Sequence, residues 1–525
     1  VRSLTSAWEK VLFNQFHDLL AGTSVEEAYD DAEQDYGYAL STAQDIMMKA
    51  TQAIVQRINT SGSAVTPFMV FNPCSWPVSR YIEFETELPN PDTRDGALST
   101  IRNSGAQQAP REKCVLRNSN GDAVPFQMLP TAAAKQENQP HRIRMLFKAE
   151  IPALGYHVYH LGYQESQNSA APSGVRVQEN VLENNIIRIQ FDKKTGAISS
   201  YFNKIRKLEL FEQAGAVPVV LDDWDDTWGH RIQAYDKEVG RFSDAEFKII
   251  ENGPERARLQ IKSFWGNSFI LQDLAIYLDS AELECKLTIN WHEKYRVLKI
   301  SFPTIFKKGV CTYSIPYGFI QREMNGDEEP GQTWIDVSMA TEEGVLGFAV
   351  INHSTCGYSV KEGDIRLTLL HSTAWSHHNP EIVDEKDSCR YMEQGIHEFS
   401  YRLLPHDQDW GAARIAQKAE EELLQPFTCT TSMHKGELGR KSDFIATDLT
   451  NISITAVKKA EDHNDLILRC VELLGKSAKG KIEITPLQRS FSIEINPCEI
   501  KTFRIPLHAQ EEITETNLIE ETVPS

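Results

Sequence analysis

Nowhere in the 525 residues does an apolar run approach the roughly 20 residues that cross a bilayer as a helix, which excludes a membrane-spanning helix. Clusters of Lys and Arg interleaved with aromatics are missing as well. The balance of 54 Lys and Arg against 74 Asp and Glu gives a formal net charge of −20, which repels a phosphate backbone and excludes nucleic acid as a partner. No Cys-x-x-Cys pair occurs. The nine cysteines, at 74, 114, 285, 311, 356, 389, 429, 470 and 498, are scattered singly and odd in number. That pattern fits reduced thiols in a cytoplasmic compartment better than a disulfide framework or a structural zinc site. Three glycosylation sequons, at Asn59, Asn352 and Asn451, are what chance supplies in a chain this long. The chain opens at Val1 rather than Met, already within a helical pattern, so a leader is neither visible nor ruled out.

What is present is enough sequence for two to four domains. Trp8, Val11, Leu12, Phe16 and Leu19 recur at helical spacing until Ala21-Gly22 breaks the pattern. Ser24 and Glu27 then form a capping-box pattern, and an apolar stripe from Val25 to Ile54 predicts a long second helix ending near Arg57. After residue 60 the period becomes alternating. "FMVFN" and "RYIEFE" read as strands, 89–112 and 132–141 as polar loops, and "IIRIQFDKKTGAISSYF" as a hairpin; Leu283, Cys285, Leu287, Ile289 and Trp291 alternate on one face. "GAARIAQKAEEELL" reads as one amphipathic helix closed by Pro426, short strands follow to about 510, and "EEITETNLIEE" is an acidic tail. Many short strands that do not alternate with helices predict sandwiches rather than a parallel sheet. The expected fold is mainly β: an N-terminal helical hairpin over 1–60, a small β-sandwich over 61–170, a large β-sandwich over 171–410, and a helix with a C-terminal β domain over 411–525.

Chemistry concentrates at His17-Asp18. Read blandly, His17 is a core-edge imidazole and Asp18 a carboxylate near a helix end, where the macrodipole mildly disfavours it. Adjacent helical positions point about 100° apart, so the two cannot chelate as a His-Glu-x-x-His pair does. "DDWDDTWGH" packs Asp225, Asp226, Trp228 and His230 into a loop where an aromatic face can stack on a sugar while carboxylates accept its hydroxyl protons. It also reads as a polar edge loop with one packed tryptophan. A calcium site there would need more ordered oxygen ligands than these residues offer. His463-Asn-Asp465 reads as a solvated turn, and His377-His378 as a loop or as metal ligands.

"AWEKVLFNQFHDLLAGTSVEEAYDDAEQDYGYAL" resembles the helical segment that follows the catalytic barrel in α-mannosidases of glycoside hydrolase family 38. "VFNPCSWPVSR", "DDWDDTWGH", "YSIPYGFIQREMNGDEEPGQTWIDVS" and "GIHEFSYRLLPHDQDW" are similar to the β domains of its cytosolic and bacterial branch, in the same order and over essentially the whole chain. The resemblance implies a large supersandwich of the galactose-mutarotase kind, one zinc ion, an Asp nucleophile and a second carboxylate as acid/base, with retention of configuration at terminal α-mannosidic bonds. It assigns His17 to the zinc and Asp18 to the mannose hydroxyls, with Asp226, Trp228, His230 and His371 as substrate-binding residues. His371 ends "GDIRLTLLH", where many members carry an Arg. The remaining zinc ligands and the nucleophile belong to a barrel upstream of this motif, so the resemblance leaves no catalytic residue in this chain and implies that the chain alone does not retain zinc. A further expectation is that the apolar first helix is covered either by self-association with another copy, a homo-oligomer, or by docking on the sandwich. The competing reading is a non-catalytic carbohydrate-binding or structural β-sandwich module.

Overall fold

The computed structural model describes residues 2–62, 66–88, 114–130, 141–163, 174–375, 390–508 and 510–522. His377, His378 and Cys389 lie outside them, as do the expected polar stretches save for His141.

Three helices open the chain: α1 (Arg2–Phe13), α2 (His17–Leu20) and α3 (Glu26–Val55). The first helix is therefore shorter than its apolar spacing predicts. It stops where the Asn14 amide turns back to the Lys10 carbonyl (3.0 Å) and across to Asp35 (3.2 Å), a side-chain alternative to helical continuation. The expected capping box is absent too: Val25, in extended conformation, is the N-cap of α3, and no side chain caps it. α1 and α3 pack together, burying the small side chains Ala7, Ala32 and Ala39, and are tied by a Lys10–Asp35 ion pair. The large apolar side chains of α1 and of the turn after it consequently stay outside that contact: Trp8, Leu12 and Phe13, then Phe16 and Leu20, are all more than half exposed.

The rest is antiparallel β. Thr66–Asn72 and Gly155–Tyr163 centre one sheet, which faces a three-stranded sheet of Val78–Leu88, His141–Ile151 and Phe126–Leu129. Their shared core is aromatic, with Phe68 stacked on Phe84 at 3.7 Å. Phe427–Thr430 pairs with Thr66–Asn72, and Lys441–Asp443 with Gly155–Tyr163, so segments far along the chain complete this small sandwich.

A nine-stranded and a six-stranded sheet enclose one large core, in which Leu283, Cys285, Leu287, Ile289 and Trp291 are buried at alternate positions, as their spacing predicts. The expected hairpin forms from Ile187–Phe191 and Ile198–Asn203. The amphipathic helix is α4 (Ile415–Leu423), which packs its buried Ile415 and Ala419 on Trp334 and Ile351. A last sandwich follows, and the acidic tail joins it through Thr514–Thr516, paired with Ile500–Ile505.

Gly155–Tyr163 carries two buried histidines. Burial pushes His157 and His160 below the ordinary imidazole range, although carbonyls of Glu150 and Thr60 face them. A lowered folded-state pKa means that the unfolded chain takes up protons first. Stability is therefore full above about pH 6.5 and lost as pH falls below it. We expect the unfolding midpoint of this sandwich to drop between pH 7 and pH 5 in urea titrations, and His157→Gln with His160→Gln to flatten that dependence.

Candidate functional site

His17 and Asp18 form the first turn of α2, not the end of a long helix, so Asp18 sits at a helix start rather than the unfavourable C-terminal end. His17 Nε2 lies 3.5 Å from Asp18 Oδ1, with their side chains 80% and 33% exposed. The Phe16 ring packs against the imidazole at 4.3 Å. Thr23 returns its N–H to the Asp18 carbonyl at 3.0 Å, a reversal allowed by Gly22 at φ +78. The Tyr29 hydroxyl reaches the Asp18 and Leu19 carbonyl oxygens, each at 3.2 Å, and locks the turn onto α3.

This turn rests on the large sandwich. Tyr29 meets Trp375 with ring centroids 4.7 Å apart, Arg390 pairs with Glu26, and a Cβ placed on Gly22 would come within 3.6 Å of the Met392 methyl. Met392 in turn donates its N–H to the Thr373 carbonyl at 2.8 Å. Thr373 to Trp375 directly follow His371, the last residue of the strand Asp364–His371.

His371 Nε2 lies 2.6 Å from Oδ2 of the buried Asp223 and 3.5 Å from the Tyr235 hydroxyl. Asp223 begins the loop that joins Val217–Asp222 to Glu238–Arg241. It is tied down by its N–H to the Tyr295 carbonyl (3.1 Å), while the Tyr295 N–H bonds Ser372 (2.8 Å). Burial, then the carboxylates of Asp223, Glu328 and Asp225, push the Tyr235 phenol up. Within the loop Asp225 is buried. Burial would raise its carboxyl, but Arg231 and the backbone N–H groups of Asp226 and Arg231 outweigh that and hold it below the usual range. Asp226 is buried as well, its Oδ1 accepting the Trp228 N–H at 2.9 Å, so this carboxylate shapes the loop from beneath. A guanidinium over Asp225 opposes a calcium ion there.

The loop's outer surface is aromatic. Trp228 is 47% exposed and stacks on His230 at 5.7 Å, and Trp224 is 43% exposed beneath the Arg231 guanidinium at 5.0 Å. The α2 turn and this loop thus flank the same strand end at His371. Asp223, Tyr235, Trp224 and Arg231 were not among the residues singled out from sequence. Asp223 and Trp224 stand inside the quoted motif, but nothing in the spacing distinguishes their roles, and Tyr235 carries no local signal. His463 lies at an exposed turn, 3.0 Å from Asp462.

Among the described residues no group of three or more His, Cys, Asp or Glu side chains can hold a metal ion. One imidazole and its neighbouring carboxylate fall short of the three protein ligands of a zinc centre, so these residues by themselves do not fit a zinc ion. Among the described residues no helix is long and apolar enough to cross a membrane.

The family model described as glycosyl hydrolases family 38 C-terminal domain matches residues 182–380, that of the alpha mannosidase middle domain residues 1–54, and that of the family 38 C-terminal beta sandwich domain residues 451–490. Alpha-mannosidase G of Dictyostelium discoideum is 24% identical over 558 residues, covering 96% of this chain and 48% of its own length. Alpha-mannosidase 2C1 of Mus musculus is 22% identical over 493 residues, covering 90% and 40%. The chain thus spans about half or less of the length of the curated relatives it matches. The crystal structure of an alpha-mannosidase from Enterococcus faecalis V583 superposes with a TM-score of 0.74 at 18% identity, over 95% of this chain and 63% of that one. At that identity the likeness speaks for the fold.

Proposed function

We propose, since this chain belongs to glycosyl hydrolase family 38, that it is the helical and β-sandwich portion of a cytoplasmic, zinc-dependent, retaining α-mannosidase acting on terminal α-mannosides. The observation that carries this reading is that the helical segment docks through Tyr29 on Trp375 while the Asp223–Tyr235 loop docks on His371, near the end of one strand. In this reading His17 gives one zinc ligand and Asp18 accepts hydrogen bonds from mannose hydroxyls. His371, held by Asp223, offers its imidazole to the sugar. Trp228 and His230 provide an apolar face for it, and Asp226 keeps that face in place. The remaining zinc ligands, the nucleophile and the acid/base carboxylate come from polypeptide outside these residues. The eight described cysteines are all unbridged, which agrees with a reducing compartment.

The test compares this chain with a longer protein that carries the preceding coding sequence, using 4-nitrophenyl α-mannoside. The chain alone should give no turnover. The longer protein should release α-mannose first, by proton NMR, and stop on chelation until zinc returns. Turnover by the verified 525-residue chain, β-mannose as the first product, or indifference to chelation each contradicts the proposal. A second reading, a carbohydrate-binding module without chemistry, draws on the exposed Trp224 and Trp228 and requires sugar binding with no turnover in either protein.

A further inference from the structure

A cleft of about 790 Å³ lies between the small sandwich and the outer face of the nine-stranded sheet, and it shares no residue with the site above. Its walls are strongly polar. Of the eight Lys and Arg side chains lining it, seven are ion-paired across or beside the cleft; Arg256 with Glu83 (2.7 Å) and Arg80 with Glu422 (2.9 Å) bridge the two sides. Such pairing fixes carboxylate and guanidinium edges in place and leaves the walls close to neutral. Tyr81 and Tyr277, stacked at 4.8 Å, add the aromatic surface, and Tyr81 donates to Glu255 at 3.0 Å. Two exposed polar groups are left over: Lys286 makes no ion pair and Gln425 no side-chain hydrogen bond among the described residues.

These features select a ligand by exclusion. An apolar molecule would strand the polar walls without partners. A strongly charged one would have to displace pairs that already neutralise each other. A neutral molecule dense in hydroxyls suits them, since each hydroxyl both donates to a held carboxylate and accepts from a held guanidinium or ammonium. The volume takes several linked sugar rings, and ring C–H faces can lie on the tyrosines. We propose that this cleft is a non-catalytic binding site for a neutral oligosaccharide, with Lys286 and Gln425 as direct hydroxyl contacts. That the sugar is α-mannosyl rests on the proposed function; the cleft's preference for a neutral glycan does not.

Isothermal titration of this chain with linear α-mannotriose, cellotriose and mannose 6-phosphate tests it. At least one neutral trisaccharide should bind saturably, and Lys286→Ala with Gln425→Ala should weaken that binding about tenfold while leaving the melting midpoint unchanged. Preference for cellotriose supports the cleft and removes only the mannose assignment. No saturable binding, wild-type affinity in the double variant, tighter binding of the phosphorylated sugar, or loss of binding in Trp228→Ala instead overturns it.

Discussion

On the proposed function, replacing His17 by alanine in a longer protein that carries the preceding coding sequence and is loaded with zinc should lower zinc affinity at least about 100-fold and abolish nearly all turnover, whereas Asp18→Asn should keep the metal and lose about 10²- to 10³-fold in kcat. The split follows from the α2 turn. His17 is 80% exposed, with Asp18 Oδ1 3.5 Å from its Nε2, so most of the imidazole faces away from the described residues and is placed to ligate something outside them. Asp18 is more sheltered, and Thr23 Oγ1 lies 3.4 Å from its Oδ1, which fixes one oxygen and leaves the carboxylate as an oriented acceptor. Asparagine keeps the shape and one acceptor but brings no charge, so the loss should fall on rate rather than on metal. Zinc content by mass spectrometry beside steady-state kinetics separates the two. Equal zinc and activity in the His17 variant would remove it from the metal site.

The second large effect is on stability. Glu328→Ala is expected to destabilise the large sandwich by about 3–5 kcal/mol, because it leaves a fully buried ammonium without its counter-charge. Lys299 is wholly inaccessible, pairs with Glu328, donates to Ser359 at 3.0 Å, and sits 5.6 Å from the Tyr235 ring. Burial already pulls its pKa down, with Glu328 opposing that shift. The Glu328 carboxylate also accepts from the Thr368 hydroxyl, so the same substitution leaves that donor without its partner as well. The double variant Lys299→Met with Glu328→Gln should recover most of the loss. Guanidinium melts followed by tryptophan fluorescence would show both; a single variant that melts like the parent would mean that water already reaches Lys299.

The strands were legible wherever one face is buried and its neighbour is not, as at Leu283 to Trp291, since a period of two leaves its mark directly in the residue order. The site motif was legible through resemblance rather than pattern: nothing in a bare His-Asp pair marks it. What stayed hidden depends on partners distant in sequence. The break after Phe13 depends on Asn14 finding Asp35 on α3, and the missing capping box on Tyr29 holding the turn that Ser24 would otherwise cap. Asp223 and Tyr235 become notable only once His371 lies against them. Helical spacing also over-read α1, because it reports which residues would like cover and not whether a neighbour supplies it.

The small sandwich closes only when Phe427–Thr430 and Lys441–Asp443 arrive. During synthesis, then, Thr66–Asn72 leaves the ribosome with an open edge, and that edge stays unpaired while the entire large sandwich is translated. An exposed strand carrying Phe68, Val70 and Phe71 is a template for pairing with another nascent chain. Chaperone demand should therefore peak before residue 430 emerges, and a truncation ending between 410 and 425, past the last strand of the large sandwich (Gly395–His406), should be recovered in inclusion bodies even though the large core is already encoded.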